Sequence, residues 1–300
     1  MKEFEALRER LAVLCPQLEL RTQEPMSRHT TFRVGGPCAL MALPKSEDEA
    51  RAAVTAAHEL GISPFFLGNG SNLLVPDQGV ERFLIKTTGL DWVERQGNVL
   101  SAGGGVTLAR LARFAQGEGL SGLEFAHGIP GSLGGGVTMN AGAYGGELKD
   151  VVRSVTCLNE AGETEEVTDC DFSYRHSAFS DGRRMVLSAR LELTPGDPQA
   201  ILARIEELSA QRQAKQPLEY PSAGSMFKRP QGYFAAALID QCGLKGFLVG
   251  GAQVSEKHAG FVVNRGGATC EDILTLVDRV KTIVRDKTGV ELEMEVKILQ

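Results

Sequence analysis

Apolar and polar positions along the chain change period several times, and each change predicts an element. The opening stretch MKEFEALRERLAVL spaces apolar side chains among charges at helical intervals and predicts a surface helix. Between 38 and 85, CALMALP is an apolar run of strand length and EDEARAAVTAAHELG is an Ala-rich amphipathic helix ended by Gly61. PFFLG, NLLV and RFLIK follow as strand-like runs, so this stretch reads as a βαβ-like unit. VLSAGGG then leads into TLARLARFAQGEG, a helix in which Leu108, Leu111, Ala112 and Ala115 recur at three and four. From 151 to 195 the period becomes two. VVRSVTCLN, a turn at EAGE, EEVTDC and MVLSARLEL predict an antiparallel sheet.

A polar helix is predicted over 198–215, and Pro217 and Pro221 stop it, which marks a seam between domains. Beyond it, FAAALIDQCG reads as a helix, GFLVGGAQVS and AGFVVN as strands, and EDILTLVDRVKTIVRDKTG as a second helix. The chain closes on VELEMEVKIL. Its alternation predicts a strand with Val290, Leu292, Met294, Val296 and Ile298 on one face and Glu291, Glu293, Glu295 and Lys297 on the other. The order of elements predicts an α+β fold throughout.

Composition narrows the function. Across 300 residues, 42% are hydrophobic and 23% charged, as in an ordinary globular enzyme or binding protein. A formal net charge of -6 lacks the basic footprint of a nucleic-acid or anionic-lipid binder, which leaves small-molecule chemistry as the expectation. Cys15, Cys38, Cys157, Cys170, Cys242 and Cys270 are scattered without a C-x-x-C pair or metal-ligand spacing, and no H-E-x-x-H occurs, so reduced thiols and no metal are expected. No apolar run approaches the ~20 residues of a membrane helix, and the charged N-terminal stretch is unlike a signal peptide. These features together predict a cytoplasmic protein without membrane insertion.

Two loops break the periodic pattern, LGNGSNLLV at 67–75 and GIPGSLGGGVTMN at 128–140, both read as following strand-like runs. Gly fills five of the thirteen positions of the second, a composition poor for helix or strand. In the first, Gly68 and Gly70 allow a sharp turn that Asn69, Ser71 and Asn72 can fix by side-chain hydrogen bonds. Successive amides pointing one way form a nest for an anion, and two such nests suit a pyrophosphate. Plain interstrand turns are the alternative for either loop alone. No G-x-x-x-x-G-K-[ST] occurs, and the one G-x-G-x-x-G, at 117–122, follows a helix and reads as a helix end.

Six motifs taken together carry a more specific signal. HTTFRVGGP at 29–37, LGNGSNLLV at 67–75, GLEFAHGIPGSLGGGVTMNAGAYGGE at 122–147, YRHSAF at 174–179, PSAGSMFKRP at 221–230 and GLKGFLVGGAQVSEKHAGFVVN at 243–264 stand in one order. The series resembles the UDP-N-acetylenolpyruvoylglucosamine reductase (MurB) family, and the short chain resembles its compact type II branch. The resemblance implies an FAD-binding fold of the vanillyl-alcohol-oxidase (PCMH) type, with subdomains over 1–89 and 90–200 and a C-terminal α+β substrate domain over 201–300. It implies non-covalent FAD held by Gly68, Asn69, Gly70, Ser71 and Asn72 and by Gly128, Ile129, Pro130, Gly131, Ser132, Gly134 and Gly135. NADPH is the implied reductant, a UDP-sugar enolpyruvyl ether the implied substrate, and a monomer the expected state.

The family reaction delivers hydride to an enolpyruvyl carbon and leaves charge that spreads into the substrate carboxylate as an enolate. Arg175 matches the family's arginine, and a guanidinium can meet a carboxylate with two parallel hydrogen bonds. Ser225 matches the family's proton donor to carbon. Glu295, in Glu295-Val296-Lys297, matches the family's terminal glutamate and is expected to serve as a neutral carboxyl, because an ionised one beside a developing enolate would repel it. Tyr174 and Lys245 match substrate contacts. His29 and His258 read as structural, and Leu248 stands where a polar residue is expected. A flavin oxidase on the same fold and a non-catalytic flavin or nucleotide-sugar binder are the competing readings.

Overall fold

Four helices start on a short polar residue that caps them, Ser46, Thr107, Ser132 and Thr269. In the computed structural model, which describes residues 2–300, the helices are α1 (Lys2–Leu14), α2 (Glu47–Glu59), α3 (Leu108–Gly117), α4 (Leu133–Thr138), α5 (Pro198–Lys215), α6 (Ala235–Gln241) and α7 (Cys270–Thr288). Ser46 caps α2 by accepting from the amide of Glu49, and Thr107 caps α3 by accepting from Arg110. Helix α7 opens on a capping box: Thr269 Oγ1 accepts from the Asp272 amide at 3.0 Å and Asp272 Oδ2 accepts from the Thr269 amide at 3.1 Å. It ends on Gly289, whose φ of 72° only glycine adopts without strain.

The chain divides into two units. One comprises Met1–Thr22, Ala39–Asn69 and Glu81–Gln211, the other Gln23–Cys38, Gly70–Val80 and Arg212–Gln300. The first holds most of a four-stranded sheet, in the order Glu19–Pro25, Pro37–Leu43, Val80–Lys86, Phe65–Leu67, with the last pair parallel. It also holds the antiparallel sheet foreseen from the period-two pattern, ordered Thr164–Val167, Val152–Leu158, Met185–Glu192, Val99–Gly103, Val93–Gln96. One core of this unit lies on that sheet under α3 and α4, with Leu108, Leu111, Leu133 and Val137 fully buried. The other gathers Leu7 and Leu11 of α1 and Ala50, Ala53 and Ala57 of α2.

In the second unit a three-stranded antiparallel sheet, Leu248–Val249, Ala252–Val254 and Val262–Asn264, packs with α6 and α7. Its core includes Ile239, Ile273, Leu276 and Val280 from the C-terminal stretch and also Phe32, Val34 and Leu74 from far upstream.

Three local expectations are corrected. The glycine run forms a helix after all, α4, because its amides find partners outside it: Leu133 N donates to Val106 O and Gly134 N to Gly104 O, both at 2.8 Å. A Cβ on Gly134 would stand 3.1 Å from Gly104 O, so bare backbone here serves close packing that outweighs poor helix propensity. That loop follows a single 3-10 turn, Glu124–Ala126, instead of a strand.

The third correction concerns VELEMEVKIL, which is a strand only at Lys297–Ile298. The segment bridges Phe227 at Met294, bends, and then pairs in parallel with Leu73–Leu74. Changing partner slips the inside-outside phase, so Leu292, Val296 and Leu299 are buried while Ile298 is 39% exposed. The NLLV run thereby pairs with the C-terminus and not within the four-stranded sheet.

Candidate active site

The first unit carries Gly68 and Asn69, the loop 128–135, Tyr174 and Arg175. Gly68 and Ser132 meet closely: a Cβ on Gly68 would lie 2.4 Å from Ser132 Oγ. Ser132 itself is buried and caps α4, its Oγ accepting from Gly135 N at 3.4 Å. The amides of Gly131 and Ser132 meet no protein acceptor among the described residues, nor do those of Gly68, Asn69, Gly70 and Ser71. Gly70 adopts φ 61°, as a nest of successive amides requires. Within the first unit, the close approach of Gly68 to Ser132 and the uncommitted amides of Gly68, Asn69, Gly131 and Ser132 fit an anion such as the diphosphate of FAD.

Tyr174 and Arg175 form the tip of a tight turn closed by Ser173 and His176, whose backbones exchange hydrogen bonds of 3.1 and 3.2 Å. Arg175 has φ 57°, the left-handed region, which costs a residue with a Cβ roughly 1–2 kcal/mol. Tyr174 is 51% exposed, and the Arg175 guanidinium lies 5.1 Å from its ring centroid. The turn is tethered to the end of α4, because Ser177 Oγ and Ser180 Oγ both donate to Thr138 O, at 3.0 and 2.9 Å.

Asn140, within TMNAG but absent from the predicted site residues, is 1% exposed and donates to Ser173 O at 3.1 Å and to Glu147 Oε2 at 2.9 Å. Its φ of 43° is one that Gly, Asn and Asp tolerate best, and its place within TMNAG is the sequence signal that could have marked it. Lys149, Asn140 and Arg175 hold the Glu147 carboxyl below its ordinary range, Lys149 most strongly through a 2.8 Å ion pair.

The second unit carries Gly70, Ser71, Asn72, Ser225, Lys245 and Glu295. Here the backbone segments that carry two predicted catalytic residues run side by side. Glu295 N donates to Met226 O at 2.9 Å and Lys228 N to Glu293 O at 2.8 Å, which sets Glu295 across an antiparallel ladder from the residue next to Ser225. On the other side Ser225 bridges Phe261, and Met226 N donates to Gly260 O at 2.8 Å. Asn72 joins the same ladder. Its Nδ2 donates to Glu295 O at 3.2 Å and its carbonyl accepts from Lys297 N at 3.1 Å.

Lys245 is exposed and ion-paired with Asp240, Nζ–Oδ2 2.7 Å. His258 is structural: its Nδ1 accepts from Gly260 N and its ring meets Phe261 edge-on at 4.9 Å. Burial, and then the charge of Lys245, push its pKa down. His29 is likewise buried, Nε2 2.8 Å from Glu24 Oε1. The six cysteines are free and buried, and burial pushes the thiols of Cys38, Cys157 and Cys270 up to about 11, which leaves them protonated and inert. No metal cluster occurs among the described residues.

An FAD-binding domain matches residues 38–168, and the C-terminal domain of UDP-N-acetylenolpyruvoylglucosamine reductase matches 216–299. UDP-N-acetylenolpyruvoylglucosamine reductase of Latilactobacillus sakei is 47% identical over 94% of both chains, and that of Caldanaerobacter subterraneus 44% over 98% of both. The chain belongs to the UDP-N-acetylenolpyruvoylglucosamine reductase family. The crystal structure of the Thermus caldophilus reductase superposes with a TM-score of 0.81 at 34% identity, covering 95% of this chain and 99% of that one. Physcomitrella patens BBE-like 1 shares the fold at 13% identity, with a TM-score of 0.50 over 63% of this chain and 44% of its own. The fold is therefore the expected α+β arrangement, a PCMH-type FAD-binding region followed by the family's C-terminal domain. No helix among the described residues is long and apolar enough to cross a membrane.

Proposed function

We propose that the protein reduces UDP-N-acetylglucosamine enolpyruvate to UDP-N-acetylmuramate for peptidoglycan precursor synthesis, as a cytoplasmic monomer using non-covalent FAD and NADPH. The observation that carries this reading is the match over 94% and 98% of the chain to relatives that carry that reductase name, with the Ser225 and Glu295 segments paired in one unit. FAD, when bound, supplies the hydride it has taken from NADPH.

The chain's own residues supply the rest. The amides of Gly68, Asn69, Gly70, Ser71, Gly131 and Ser132 hold the diphosphate, while Asn72, Gly128, Ile129, Pro130, Gly134 and Gly135 shape the two loops around the cofactor. Arg175, always charged, grips the substrate carboxylate and draws toward it the charge that develops when hydride reaches the enolpyruvyl group. Ser225 Oγ gives its proton to the neighbouring carbon. A hydroxyl is a weak acid toward water, but an enolate carbon held against it is basic enough to take the proton. Glu295, when its carboxyl carries a proton, donates a hydrogen bond to the same developing charge. Tyr174 and Lys245 contact the UDP-sugar.

Anaerobic stopped-flow tests the reading. NADPH should bleach the flavin, and colour should return only when the enolpyruvyl sugar is added. A folded protein that refuses FAD, or a reduced flavin indifferent to that sugar, overturns it.

A further inference from the structure

We propose that Asn140 is a positioning residue for Arg175, holding the turn that carries the guanidinium in the conformation that meets a substrate carboxylate. The inference rests on the assignment of Arg175 made above. Every polar atom of this buried side chain has a partner: Nδ2 donates to Ser173 O and Glu147 Oε2, and Oδ1 accepts from Lys149 N at 3.0 Å. Ser173 is the foot of the Arg175 turn, closed by its backbone exchange with His176. Glu147 is the carboxylate whose charge interacts with Arg175.

One side-chain amide therefore grips both the backbone from which Arg175 projects and the Glu147 carboxylate, which is ion-paired with Lys149. The left-handed φ of Arg175 makes such a grip necessary, since strained backbone persists only where its surroundings over-determine it. The far side of the turn is held from the same place, by the hydroxyls of Ser177 and Ser180 on Thr138 O. Residues 138–140 thus clamp 173–180 at both ends, and Asn140 is the member that reaches the Arg175 turn itself.

Two variants of the full FAD-bound enzyme test this. Asn140→Ala removes the amide. Asn140→Asp keeps size and the acceptor for Lys149 N but loses the donor to Ser173 O and sets a carboxylate against Glu147. In both, flavin reduction by NADPH should stay within about twofold of wild type, while reoxidation by the enolpyruvyl sugar slows about 10–100-fold, the scale of a misplaced positioning group. In an Arg175→Ala background, adding Asn140→Ala should change reoxidation less than about twofold, because groups acting as one unit are not additive. Independently of turnover, amide hydrogen exchange at Ser173 and His176 should accelerate in Asn140→Ala while the five-stranded sheet keeps its protection.

Equal slowing in both backgrounds, or unchanged exchange at Ser173 and His176, overturns the proposal. So does loss of folding in both variants, since the amide would then serve the unit as a whole. Slow reoxidation in Arg175→Ala with wild-type rates in both Asn140 variants refutes this proposal alone. A wild-type rate in Arg175→Ala refutes the carboxylate assignment, and the catalytic purpose of Asn140 with it.

Discussion

Ser225 is exposed on its unit, whereas Arg175 and Glu295 are half-buried. A proton donor to carbon must touch its substrate, so an exposed hydroxyl held by backbone on both sides suits the task. Ser225→Ala removes the proton and little else. It should slow flavin reoxidation by the enolpyruvyl sugar about 10²–10⁴-fold and leave reduction by NADPH nearly unchanged, both read by anaerobic stopped-flow.

His258 supports a pH prediction. Burial, chiefly, holds its folded pKa below the ordinary imidazole value of 6.5. The unfolded chain therefore binds the proton more readily, so the contribution of His258 is whole above the unfolded pKa and is lost as pH falls through the folded one. His258→Asn keeps an acceptor for Gly260 N and cannot charge. Its Tm should fall less than wild type's between pH 7.5 and 5.5, measured by differential scanning calorimetry.

At the scale of elements, helix α7 tests how much a cap contributes. Thr269→Ala removes one half of the capping box at the helix that supplies Ile273, Leu276, Val277 and Val280 to the core of its unit. The loss should be ~0.5–2 kcal/mol, seen as a drop of a few degrees in the calorimetric Tm.

The same scale shows what the sequence made legible. The glycine stop at Gly61, the proline stop at Pro217, the period-two run at 151–195 and the spacing in α3 are local signals, and the elements they predicted are present. The helix at 133–138 was hidden because its decisive hydrogen bonds go to Val106 and Gly104, which no local pattern announces. The alternation of 290–298 was real up to Val296, but a change of pairing partner cannot be read from a hydrophobic period. Among the site residues, motif order indicated Ser225, Arg175 and Glu295. Asn140 escaped because its work is done through Ser173 and Glu147, contacts that exist only in three dimensions.

For the whole molecule, Gln23–Cys38 and Gly70–Val80 belong with Arg212–Gln300. Hydrophobic patterning reports that Phe32, Val34 and Leu74 are inward-facing without saying which core receives them. They sit in the core of the C-terminal stretch, and Leu73–Leu74 supplies the partner strand of Lys297–Ile298. A fragment of residues 212–300 alone should therefore give poor amide dispersion in NMR and no cooperative thermal transition. Adding the upstream segments by linked fusion should restore both.

That interleaving also sets the timetable of biogenesis. After Val80 is added, roughly 200 residues must follow before Val280 of the same core is made, about 10–40 s of translation at ~5–20 residues per second. Throughout that interval Phe32, Val34 and Leu74 have no native shelter, and a nascent chain in this state is a natural client for a holdase chaperone.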